Sequence, residues 1–171
     1  SPWDRTKAYD PSFANDLKGW SEICKKLYVW DYTTNFLMYL NLFSNFHVLA
    51  DNLQFFAEHN VRGVFEERNL QSESGEFGEL RAYLLAKLMW DPYADVEAHM
   101  DDFLAGYYGA EAGAYIKEYI DIITNKTINT HQHIYIFQWQ NETPYFTKQE
   151  RKHIDALWDA AQAAAENDEQ C

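Results

Sequence analysis

Phe13, Leu17, Trp20, Cys24 and Leu27 recur every three or four positions, the spacing that lines one face of an α-helix. Ser12, following Pro11, is placed to cap its start, so a helix is predicted over about residues 13–26. The pattern then changes to LYVWDY, residues 27–32, a short run of apolar and aromatic residues that reads as a strand. A loop through TTNFLMYLNLFSN follows, and Phe46, Leu49, Leu53 and Phe56 mark a second amphipathic helix ending near Asn60. VRGVFEE, residues 61–67, reads as a second strand. A helix between two strands leaves room for a crossover connection, so the pair is expected to be parallel.

Beyond Glu67 the pattern is helical with one interruption. Phe77, Leu80, Leu84 and Leu88 form a stripe that should stop at Asp91, because Pro92 disfavours helical geometry in the residue before it. Val96, Met100, Phe103, Leu104 and Tyr107 make the next stripe, closed by Gly109, and Ala112, Tyr115, Ile116, Tyr119, Ile120 and Ile123 make another. THQHIYIFQWQNETP breaks the helical run and carries some strand character at Ile134 to Phe137. Thr147 and Glu150 stand at capping-box spacing before a last helix with Ile154, Leu157, Trp158 and Ala161 on its apolar face.

The resulting class is mainly α with a few parallel strands (α/β). Two parallel strands alone leave open hydrogen-bonding edges and a sheet that needs covering on both faces. A (β/α)₈ barrel needs about 250 residues, more than the 171 present. The expectation is therefore that residues 1–90 hold the last β/α units of a barrel and residues 91–171 a helical C-terminal region.

Charge narrows the partners. Fourteen Lys and Arg against 27 Asp and Glu give a net charge of −13, which repels a polyanion and excludes nucleic acid as the expected partner. No run approaches the roughly 20 apolar residues that span a bilayer, and SPWDRTKAYD lacks the basic end and apolar core of a signal peptide. Six Trp, twelve Tyr and eleven Phe make 17% of the chain aromatic. Most of these rings belong in a core, but flat aromatic faces beside carboxylates and amides also suit sugars. Cys24 and Cys171 form neither a disulfide framework nor a CxxC site.

Candidate chemistry gathers at the strand ends. Asp31 closes in on the end of the first strand and Glu66 and Glu67 on the end of the second. Barrel active sites lie at that C-terminal mouth, and strands about 4.8 Å apart let Asp31 meet one of the glutamates. Successive strand residues point to opposite faces, so one glutamate meets the mouth: Glu66 is taken as the tentative catalytic carboxyl, because Glu67 adjoins Arg68 and starts the loop, and Glu67 as the alternative, the outer one pairing with Arg62 or Arg68. His131 and His133 could share a face but have no third ligand nearby, and Glu73, Glu76 and Glu79 suit a helix's first turn, so neither a metal nor a cofactor is expected. The sequons at Asn125 and Asn141 fit chance as well as purpose.

YVWDYTTNF, LADNLQFFAEHNVRGVFEE and GEFGELRAYLLAKLMWDPYADVEAHMDDFLAGYYGAEAGAYIKEYIDII, in that order, resemble bacterial domain-of-unknown-function family 4838 over about residues 27–165. The family looks like a branch of the glycosidase (β/α)₈ barrels of polysaccharide degraders. The resemblance implies a carbohydrate partner, the remainder of the barrel as an intramolecular partner, and a secreted or periplasmic parent. The Trp-Asp start is also similar to the WDNxPVND stretch of hexosaminidase-type enzymes of glycoside hydrolase family 84, although position 32 is Tyr rather than Asn. That similarity implies sugar-hydroxyl contacts from Asp31 and Asn35, with Trp30 and Tyr32 beside them. If the family's catalytic pair lies on earlier strands, this chain contributes sugar-binding residues to a glycoside hydrolase. The alternative is a non-catalytic carbohydrate-binding or structural helical module.

Overall fold

A computed structural model describes residues 11–68, 75–130, 134–137 and 146–165. Its elements, in chain order, are α1 (Pro11–Ile23), β1 (Leu27–Tyr32), α2 (Phe46–Glu58), β2 (Val61–Glu67), α3 (Gly78–Trp90), α4 (Val96–Tyr108), α5 (Ala110–Asn129) and α6 (Lys148–Ala164). The protein is mainly helical, and its two strands are parallel. Pro11 opens α1 two residues ahead of the predicted start, because a proline loses nothing at a position whose N–H has no helical acceptor. Asp91 sits extended before Pro92 and ends α3 as that proline requires.

β1 and β2 pair with Val29 opposite Val64, Trp30 opposite Phe65, Asp31 opposite Glu66 and Tyr32 opposite Glu67. Val29 and Val61 are buried with Leu17 of α1, Leu49 and Phe56 of α2 and Leu84 of α3, so the first three helices cover one face of the sheet. The other face is open: Tyr28 is 78% exposed, Trp30 63% and Phe65 53%. Gly63 lies beneath Tyr28, and a Cβ there would stand 2.8 Å from the ring, so glycine is what lets the phenol lie across the neighbouring strand.

The core continues without a break into the helical region. Met100, Leu104, Ile116, Ile120 and Ala161 belong to the same buried cluster as Val29 and Leu84. Gly109 turns the chain between α4 and α5 at φ 90°, and Gly113 lets the two helices touch, since a Cβ there would lie 2.6 Å from the Leu104 carbonyl oxygen. At the start of α6 the capping box is complete: Glu150 N–H donates to Thr147 Oγ1 at 3.2 Å and Thr147 N–H to Glu150 Oε2 at 2.6 Å. Lys126 of α5 reaches the same glutamate at 2.8 Å.

The strand character expected at Ile134 to Phe137 is corrected. Ile134 is buried, but Ile136 and Phe137 form a turn, and the backbone bond from Phe36 N–H to Ile136 O at 2.7 Å joins two loops without a ladder. His131, His133, Glu73, Asn141 and Cys171 lie outside the described residues.

Candidate functional site

The ends of β1 and β2 are tied together and then to the helices. Thr33 donates both its N–H, at 3.0 Å, and its hydroxyl, at 3.1 Å, to the Glu67 carbonyl oxygen. The Asn45 carboxamide donates to Thr33 O at 3.3 Å and accepts from Arg81 Nη1. Arg81, 2% exposed, also binds Glu76 Oε2 at 2.7 Å and lies 4.4 Å over the Phe46 ring. A buried guanidinium is held only by such a full set of partners. Sequence reasoning missed Arg81 and Asn45. The available signal was Arg81 falling on the Phe77, Leu84, Leu88 stripe, where a charge has to be paired or exposed.

Alternation sends the acids to opposite sides. Asp31 and Glu66, register partners, turn toward the helices and line a cleft of about 10 Å³ with Asn52 and Leu49 of α2 and Leu85 of α3. Asp31 Oδ1 accepts the Tyr32 N–H at 2.8 Å. Burial pushes the Asp31 carboxyl above the usual range, and burial followed by the nearby Asp31 charge pushes Glu66 up to about 8. The two groups therefore do not both ionise readily at neutral pH.

Glu67 turns to the open face, where Trp30 Nε1 donates to its Oε2 at 2.6 Å. The Trp30 and Phe65 rings meet edge to face with centroids 4.8 Å apart, and Tyr32 packs edge-on against Phe36 at 5.6 Å. The sequence expectation of an outward glutamate paired with Arg62 or Arg68 is thus corrected: the indole holds Glu67, and Arg68 Nη1 donates to Gly78 O at 2.9 Å.

Asn35, expected from the sequence to contact sugar hydroxyls, lies in the loop after β1. It is 1% exposed, and its Oδ1 accepts the N–H groups of Leu37 at 2.9 Å and Met38 at 3.2 Å, so the side chain shapes the loop after β1. Trp30, Tyr32 and Glu67 share one face, Asp31 and Glu66 the other, and Asn35 neither.

Residues 2–121 match the family model of a domain of unknown function, DUF4838. The chain belongs to the DUF4838 family. The DUF4838 match takes in both strands and α1 to α4 and ends within α5, whereas the resemblance read from the sequence runs on to about residue 165. No curated protein and no solved structure matches the chain. Among the described residues of this DUF4838 chain, no group of three or more His, Cys, Asp or Glu gathers as a metal site, and no helix is long and apolar enough to cross a membrane.

Proposed function

We propose that β1 and β2 are two staves of a glycosidase-like (β/α)₈ barrel, and that this chain forms the C-terminal portion of a glycoside hydrolase acting on an oligosaccharide or polysaccharide. The single observation that carries this reading is the aromatic face opposite the helices, with a carboxylate at its C-terminal end. In a (β/α)₈ barrel the helices lie outside, so the opposite face is the lumen and the strand C-termini its mouth. Trp30 and Phe65 then line the wall, and Tyr32 and Glu67 reach the mouth, with the Glu67 carboxylate oriented by the Trp30 indole.

This placement favours Glu67 over Glu66 as the carboxyl that meets substrate. The rings offer flat apolar area to sugar C–H groups, and the carboxylate accepts from hydroxyls. Glu67 is the one acid that the two strands place on that face, and hydrolysis by the usual route takes two carboxyl groups, about 5–5.5 Å or about 6.5–9.5 Å apart. A second carboxyl from another stave would make the site catalytic. Without one, the face belongs to a non-catalytic carbohydrate-binding module.

Titration calorimetry of the protein against a panel of oligosaccharides tests the reading. Binding by at least one, weakened about tenfold or more by Trp30→Ala, about 1.4 kcal/mol, is the expected result. No binding to any, or binding that Trp30→Ala and Glu67→Gln both leave unchanged, overturns it.

A further inference from the structure

The helix-facing acid pair has no part in that reading and raises its own question. Asp31 and Glu66 stand side by side across adjacent strands, partly withdrawn from solvent, and among the described residues no Lys or Arg lines their cleft. Two carboxyl groups brought together in this way need something positive or something that donates.

A second observation comes from a different element. Asn52 of α2 lines the same cleft, is 7% exposed, and its Oδ1 is buried with no hydrogen-bond partner. A buried carboxamide oxygen left unpaired is costly and uncommon. Three oxygen-bearing side chains, from β1, β2 and α2, therefore surround a space of about 10 Å³, roughly the room that one water-sized guest requires.

We propose that this cleft binds one hard divalent cation, of the magnesium or calcium kind, through the carboxylates of Asp31 and Glu66 and the amide oxygen of Asn52, with solvent water at the open side of the cleft completing the shell. The donors are all oxygens, with no thiolate or imidazole, which selects hard cations over zinc or copper. The ion neutralises the paired acids, supplies the missing partner of Asn52, and joins both strand ends to α2. A single proton shared by the two carboxyls, or the Asn52 amide turned to donate to one of them, is the competing occupancy.

The test is thermal unfolding of the chain followed by circular dichroism, after dialysis against EDTA, in MgCl₂, in CaCl₂ and in NaCl of equal ionic strength. One of the divalent salts at about 100 times its Kd is expected to raise Tm by about 5–10 °C over NaCl, with a calorimetric stoichiometry of about one. Glu66→Gln and Asn52→Ala are each expected to abolish the rise. Asn52→Ala keeps the test open should the strand variant fail to fold. No rise beyond NaCl with either divalent salt, or an equal rise in Asn52→Ala, overturns the proposal and leaves the cleft to a proton or to the turned amide.

Discussion

The two faces of one small sheet are built for different surroundings. Toward the helices the strands present Val29, Val64, Asp31 and Glu66; away from them they present Tyr28, Trp30, Tyr32, Phe65 and Glu67. On the covered face valines meet Leu49, Phe56 and Leu84, and large rings lie on the face turned away from the described helices. Because the side-chain period is two, a slip of one residue in either strand would exchange these roles. The covered face should therefore govern stability and the open face recognition, and substitutions can separate the two.

The largest effect is expected behind the covered face. Arg81→Ala leaves Glu76 buried without its partner and should cost about 3–5 kcal/mol, measured by urea unfolding. Leu84→Ala, at a fully buried position, should cost about 2–5 kcal/mol by the same measurement. If either variant unfolds like the parent, the covered face does not carry the stability.

Smaller changes sharpen the contrast. Glu66 has a folded pKa of about 8, above the usual value of 4.5. Ionisation of the unfolded chain then draws stability away as pH rises from about 4.5 to about 8, with the group's full contribution present below 4.5. In EDTA, urea midpoints should fall over that window, and Glu66→Gln should flatten the fall; an unchanged slope would refute the burial assigned to this carboxyl. On the open face, Gly63→Ala should cost about 1–2 kcal/mol by pushing against the Tyr28 ring, and the cost should vanish in a Tyr28→Ala background. Trp30→Phe keeps a ring but removes the N–H that holds Glu67. It should change stability by no more than about 0.5 kcal/mol while weakening the carbohydrate binding proposed above.

Much of the fold was legible because local chemistry and tertiary structure agree. Both strands run between the predicted residues, Gly109 and Pro92 punctuate the helices where expected, and Thr147 and Glu150 make both capping-box bonds. The faces were less legible. Alternation shows that Glu66 and Glu67 must oppose each other, but which side helices cover depends on contacts from α1, α2 and α3. The part played by Asn35 was not legible, because an amide after a strand serves a turn as readily as a ligand, and only the fold shows its two bonds to the loop. Ile134 to Phe137 misled because β-branched residues alone do not make a strand without a ladder partner. Arg81 was hidden by its position on an apolar stripe, where its partners come from segments up to 38 residues away in sequence.

Asn45 stands at the N-terminus of α2, yet its side chain caps nothing there. Both ends of its amide are engaged elsewhere, one on the Arg81 guanidinium of α3 and the other on the Thr33 carbonyl beyond β1. The residue therefore works as a mechanical linkage: a tilt of α3 pulls on the tip of β1 through two hydrogen bonds in series. Asn45→Ala, which removes both bonds without removing a helix cap, would uncouple the strand tip from the helix that now steers it.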